Sequence, residues 1–70
     1  MTDTTQQPLY PEVTVELSGV DGNAMSIIAA VTRALRRAGH GSQISEFTKE
    51  AMSGDYDNVI RTAMRWVSVQ

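Results

Sequence analysis

The fold class is decided by one short alternating stretch, EVTVELS at residues 12–18. Its odd-numbered members, Val13, Val15 and Leu17, are apolar, and the residues between them are polar. Apolar residues at every second position, two of them β-branched, predict a strand with one buried face. A turn is expected to follow, because Asp21-Gly22 is a strong turn signal.

The next segment is predicted to be a helix over residues 24–38. Its apolar stripe repeats about every 3.6 residues and comprises Ala24, Ile27, Ile28, Val31, Ala34, Leu35 and Ala38. Asn23 is a good N-cap, because its side chain can accept a hydrogen bond from a free N–H of the first turn. Gly39 stands where a left-handed residue often closes a helix.

Two further helices are predicted after a short connection. The second runs from residue 42 or 43 to 52, and its apolar side comprises Ile44, Phe47, Ala51 and Met52. Gly54 is expected to end it with a positive φ. The third follows a capping Asp55 or Asp57, and its stripe comprises Tyr56, Val59, Ile60, Ala63, Met64 and Val67. Spacings of three and four indicate a helix that buries one face.

The C-terminal residues 66–69 (WVSV) fit either a last helical turn or a short strand. Their alternation and the β-preferring tryptophan favour a strand. Because an isolated strand is unstable, the first strand also needs this partner. The predicted architecture is β-α-α-α-β, a small α+β domain of two short strands packed against three helices. Residues 12–70 are assigned to this domain, and residues 1–11 to a flexible N-terminal tail.

Composition excludes several classes of function. The chain has 70 residues, no cysteine and one histidine, His40. Disulfides, thiolate zinc sites and a cysteine nucleophile are therefore excluded, and one chain cannot supply a histidine cage for a metal. A domain of this size has marginal stability unless a partner adds to it. We therefore expect a homo-oligomer, with a dimer favoured.

Charge and hydropathy narrow the expected partners. The net charge of −2 argues against generic binding of nucleic acid. No apolar run approaches the roughly 20 residues that cross a bilayer, and the first 12 residues are polar. The expectation is a cytoplasmic protein without membrane contact.

The candidate chemical sites each have a simpler interpretation. Asp21-Gly22-Asn23 opens a helix, where anions often bind, but the acidic side chain favours a tight turn and an N-cap. Asp55 and Asp57 could supply oxygen ligands to Mg²⁺, yet helix capping explains them better. His40 lies between glycines, so it is expected to be exposed and flexible, with no assignable catalytic partner. No catalytic residue, metal or cofactor is predicted, and the chain is not predicted to be an enzyme.

Cations are concentrated on two of the predicted helices. Five of the six are Arg33, Arg36, Arg37, Arg61 and Arg65. The first and third helices each carry two arginines four residues apart, which share a face. If the two faces join, they form a patch for an acidic molecule, and Trp66 adds a stacking surface or a contact with another subunit. Solvated faces paired with carboxylates, and a Trp66 packed under the first strand, are the simpler interpretation.

A spaced set of motifs runs through the domain, with DGNA at 21–24, SGDYD at 53–57 and WV at 66–67. This pattern resembles a family of short uncharacterised proteins of bacteriophages, prophages and bacterial mobile elements. The likeness covers residues 13–69, although this chain has Met25 and Asn58 where the family often has an aromatic residue and a histidine. It implies a cytoplasmic accessory protein and no particular activity, substrate or cofactor.

Two functions of different classes follow. The first is a homo-oligomeric protein-interaction module of phage or mobile-element origin, acting on a host or phage protein. The alternative is a nucleic-acid-binding accessory protein that uses the five arginines. An enzyme with a metal at Asp55 and Asp57, or with a site between subunits, is the least favoured class.

Overall fold

A computed structural model describes residues 8–17 and 22–70. In chain order its elements are β1 (Tyr10–Val15), α1 (Ala24–Arg37), α2 (Ile44–Ala51), α3 (Tyr56–Trp66) and β2 (Val67–Val69). A 3₁₀ turn at Gly41–Gln43 precedes α2. The predicted small α+β domain is confirmed, with two strands packed against three helices. At the ambiguous C-terminus, Trp66 ends α3 and the next three residues form the strand.

The two strands form a parallel sheet. Thr14 lies beside Ser68 and Tyr10 lies beside Val67, so β1 is irregular between Tyr10 and Thr14. Within this stretch Ser68 Oγ donates a hydrogen bond to Pro11 O at 2.8 Å. Parallel strands need a connection of a dozen or more residues between them. The three helices provide that connection.

The first strand begins earlier than predicted. It starts at Tyr10 and not at Glu12, so Tyr10 and Pro11 belong to the sheet. Proline lacks an N–H but favours extended backbone, which suits an irregular strand. The strand also ends earlier than predicted, at Val15 and not at Ser18. Residues 18–21, which hold most of the predicted turn, lie outside the described residues, as do residues 1–7 of the predicted tail.

The predicted caps are present at two helices. Asn23 Oδ1 accepts from Met25 N at 2.8 Å at the start of α1. Asp55 Oδ1 accepts from Asn58 N at 3.1 Å at the start of α3. Gly39, just after α1, has φ 92°, as its position predicts. These local signals place the ends of α1 and the start of α3.

The prediction of a positive φ at Gly54 is wrong. Among the described residues only Gly39 has a positive φ. Position 54 favours glycine because Asn58 lies close to it. A Cβ at this position would be 3.0 Å from Asn58 Cβ. Asn58 Nδ2 donates to Glu50 O at 2.9 Å and to Ala51 O at 3.2 Å. The side-chain amide of Asn58, on α3, therefore caps the C-terminus of α2. This contact requires Asn58 to lie close to Gly54.

The core lies between the sheet and the helices. Its buried apolar members are Val13, Val15, Ile27, Ile28, Val31, Leu35, Phe47, Ala51, Val59, Ala63, Trp66 and Val67. Met52 and Met64 were expected in the core, but each side chain is 56% exposed. On α3 the buried face includes Thr62 and Trp66. Residues two apart on a helix point about 200° apart, so burying the large Trp66 directs Met64 outward.

Candidate functional site

The two arginines of α3 have carboxylate partners. Arg65 forms an ion pair with Glu50 of α2. Arg61 Nη2 lies 3.9 Å from Asp57 Oδ2, one helical turn away. Exposed pairs of this kind contribute little to stability. They do partly neutralise this half of the predicted arginine patch.

Trp66 belongs to the core, where it is 4% exposed, so it is not an exposed stacking surface. Its ring packs edge-on against Phe47, with centroids 5.5 Å apart, and lies 5.9 Å from the ring of Tyr10. Its indole Nε1 donates to Glu50 Oε1 at 3.0 Å. A buried indole needs such an acceptor. Glu50 therefore joins the core tryptophan to Arg65 at the surface.

The arginines of α1 lie in a different setting. Arg33, Arg36 and Arg37 are exposed. Arg33 and Arg37 border a groove beside β1, which Arg36 does not line. No described contact joins these side chains to the arginines of α3.

Two adjoining grooves lie between β1 and α1 and are called here the β1–α1 groove. Thr14, Ala34 and Arg37 line its middle. One end, with a volume of about 250 Å³, reaches Arg33, and the other, of about 240 Å³, reaches Glu12. Residues of β1 and its C-terminal end form one wall, and residues of α1 and its C-terminal end form the other. The sequence showed that the two arginines share a face, but it did not show that they border a strand.

His40 is neither fully exposed nor isolated, contrary to the prediction. Its side chain is 28% exposed, and Nε2 lies 3.1 Å from Glu12 Oε2. Its ring stacks at 4.2 Å from the ring of Tyr10. The pKa of the Glu12 carboxyl is lowered, first by a hydrogen bond from the backbone N–H of Glu12 itself and then by the contact with His40. These contacts attach β1 to the end of α1, and no local sequence signal predicts them.

A second surface is apolar. Met25, Met52 and Tyr56 are 58%, 56% and 48% exposed, and all three line one groove of about 250 Å³. They come from the first turn of α1, the end of α2 and the start of α3. The Tyr56 hydroxyl donates to Gly22 O at 2.7 Å, which joins two of these helix ends. Sequence periodicity assigned Met52 and Tyr56 to the core, so it missed this patch.

The acidic residues have structural roles. Asp55 caps α3 and Asp57 pairs with Arg61. In residues 8–17 and 22–70, no group of three or more histidine, cysteine or acidic side chains is arranged to hold a metal. Over the same residues, no helix combines the length and apolarity needed to span a membrane. The chain matches no protein-family model, no curated protein and no solved structure.

Proposed function

We propose that this chain is a homo-oligomeric protein-interaction module, with a dimer as its favoured form. The observation that carries the proposal is the apolar patch of Met25, Met52 and Tyr56. Single exposed apolar residues are ordinary, but grouped ones mark interaction surfaces. Methionine and tyrosine are also enriched at protein interfaces.

The chemistry of the patch suits contact with a second protein surface. Methionine side chains are unbranched and adapt to the shape of what they meet. The Tyr56 hydroxyl already donates to Gly22 O, so a partner can cover the ring without leaving that donor unpaired. Covering this patch therefore removes apolar area from water at small polar cost.

A second copy of the chain is the favoured occupant because of size. A domain of 70 residues buries a small fraction of its surface and gains stability by association. A two-fold dimer places the same patch on both sides of the contact. Methionines from both copies can then interleave. The likeness to phage and mobile-element proteins supports an accessory role in which the dimer engages a host or phage protein.

Molar mass measured against concentration tests the proposal. Light scattering on a sizing column is expected to give the dimer mass for the wild type and the monomer mass for Met52→Glu, since a buried unpaired carboxylate opposes association. Met64→Glu is a matched control, because Met64 is also 56% exposed but lines a different groove, beside β2. This control is expected to remain dimeric. A wild type that stays monomeric at high concentration, or equal effects of the two variants, would contradict the proposal.

A further inference from the structure

We propose that Met25 and Met52 form a reversible oxidation site, at which a peroxide converts both thioethers to sulfoxides and separates the two copies of the dimer. The inference rests on the proposed dimer and adds a chemical means of regulating it. Both methionines line the groove of the apolar patch, from the first turn of α1 and the end of α2. Met64 lines a different groove and serves as an internal comparison.

The reaction is a two-electron transfer of oxygen to sulfur. An S–O bond forms at the Sγ atom of methionine as the O–O bond of the peroxide breaks. The sulfur is oxidised, and hydrogen peroxide is reduced to water, which keeps both of its protons. The product, methionine sulfoxide, is polar, and specific reductases return it to methionine.

The composition of the chain directs a peroxide to methionine. The chain has four methionines and no cysteine, so no thiol competes for the oxidant. More than half of the Met25 and Met52 side chains is exposed in the single chain. The one tryptophan, Trp66, is buried in the core. A peroxide therefore reaches the sulfur atoms of the patch when the two copies are apart.

The groove of the patch offers a sulfoxide no free side-chain donor. Among the described residues that line it, the one side-chain donor is the Tyr56 hydroxyl, which already donates to Gly22 O. The one charged member, Asp55, is an acceptor that caps α3. A two-fold partner presents the same residues. In the closed interface a sulfoxide oxygen would lose its hydrogen bonds to water and gain none from these side chains.

The groove that holds Met64 differs in chemistry and in place. Ser68 and Gln70 line it, and both carry side-chain donors. It shares no described lining residue with the groove of the patch. A sulfoxide at Met64 is therefore expected to leave the dimer intact. Because Met64 and Met52 are equally exposed, they differ in location and not in accessibility.

Oxidation and dimer formation oppose each other. Because the interface covers Met25 and Met52, these residues react in the separated copies, and their sulfoxides then hinder reassociation. An unpaired polar group buried in an interface weakens association about tenfold. Two copies bring two sulfoxides each, so the dissociation constant is expected to rise at least about hundredfold.

Light scattering on a sizing column before and after treatment with hydrogen peroxide tests the proposal, and mass spectrometry of peptides counts the oxygen added at each methionine. The wild type is expected to change from the dimer mass to the monomer mass. The double variant Met25→Leu/Met52→Leu keeps the volume and apolarity of the patch, and it is expected to stay dimeric in peroxide. It retains Met1 and Met64, so it also reports the effect of oxidation elsewhere. Met64→Leu is the matched control and is expected to separate as the wild type does.

Two further measurements use the wild type alone. As protein concentration rises through the dissociation constant, the oxidation rates of Met25 and Met52 are expected to fall, while the rate at Met64 stays constant. Methionine sulfoxide reductases for both sulfoxide epimers, with dithiothreitol as the reductant, are expected to restore the dimer mass. Because neither measurement needs a substitution, both decide the question even where leucine alters the dimer.

The outcomes separate this inference from the proposed function. A wild type that is monomeric before peroxide contradicts both. A wild-type dimer that keeps its mass with Met25 and Met52 oxidised overturns this inference alone. The same conclusion follows if peroxide separates the double variant, if oxidation of all three methionines depends equally on concentration, or if reduction of the sulfoxides does not restore the dimer. Circular dichroism melting verifies that each oxidised or substituted protein is folded.

Discussion

At the residue scale, Thr62 is the polar side chain that the core accommodates least well. It is fully buried on α3, and its Oγ1 has no hydrogen-bond partner among the described residues. Threonine in a helix often donates to a carbonyl of the preceding turn, as Thr32 Oγ1 does to Ala29 O at 3.0 Å. An unsatisfied buried hydroxyl costs about 1–3 kcal/mol. Position 62 therefore carries an unfavourable desolvation energy that an apolar side chain would remove.

Thr62→Val is expected to raise the free energy of unfolding by about 1 kcal/mol, because it keeps the shape of the side chain and removes the unpaired hydroxyl. Urea denaturation followed by circular dichroism measures the change. Thr32→Val is the matched control, since it removes a satisfied hydroxyl from a helix, and it is expected to give no gain. If the two variants lose stability equally, the hydroxyl of Thr62 has a partner after all.

At the element scale, three glycines near helix ends differ in backbone conformation and in the space around them. Gly39 has φ 92° directly after α1, a conformation that L side chains rarely adopt. Gly41 has open space around it and no positive φ. Gly54 is required by the close approach of Asn58. Sequence alone assigns all of them to turns and does not separate these reasons.

Alanine substitutions distinguish the first two glycines. Gly39→Ala is expected to lower the free energy of unfolding by about 1 kcal/mol, because a Cβ is disfavoured in left-handed backbone. Gly41→Ala is the control, with the same change in size two residues away. It is expected to be neutral or to stabilise by about 0.5 kcal/mol, since it restricts the unfolded chain. Thermal unfolding of both variants measures the difference, and an equal loss would show that φ at Gly39 is not the cause.

At the scale of the whole molecule, contacts distant in sequence hold β1 against the helices. Leu9 N donates to Arg65 O at 3.0 Å, and the carboxylate of Glu12 contacts His40. These contacts attach the N-terminal strand to the ends of α3 and α1. Because the pKa of the Glu12 carboxyl is lowered in the folded protein, part of this attachment depends on pH.

The sign of that dependence follows from linkage. A carboxyl with a lowered folded pKa stabilises the fold above its ordinary pKa of 4.5, and that contribution disappears as pH falls through the lower folded value. Glu12→Gln is therefore expected to be less stable than the wild type at neutral pH and to converge with it in acid. Urea unfolding measured across this pH range tests the prediction.

His40→Gln separates the two causes of the lowered Glu12 pKa. The largest cause is the hydrogen bond from the backbone of Glu12 itself. The His40→Gln variant is therefore expected to keep most of the stability that depends on the Glu12 carboxylate. For the Glu12→Gln prediction, the contradicting outcome is a difference in the free energy of unfolding between wild type and variant that stays constant with pH. That result would show that ionisation of the Glu12 carboxyl is not coupled to folding.

The arginine sites could be predicted only in part. Spacing along α1 correctly places Arg33 and Arg37 on one face, since both line the same groove. That they lie beside β1 follows from the packing of α1 against β1, which are distant in sequence. The apolar patch was missed because periodicity predicts which face is apolar but not how far a partner element covers it.

By itself the sequence determined the features that depend on neighbouring residues. These are the alternating strand with Val13 and Val15 inward, the caps at Asn23 and Asp55, and the left-handed Gly39. Each results from a preference or hydrogen bond that acts over a few residues of chain, so its signal is local.

Tertiary structure decided the rest. In the folded chain α3 is oriented so that Trp66 fills the core and Met64 is exposed. His40 also contacts Glu12, which is 28 residues away in the sequence. The reason is that competing faces of one helix differ little in local preference. The burial of the largest side chain against Phe47 and Tyr10 then determines which face turns inward.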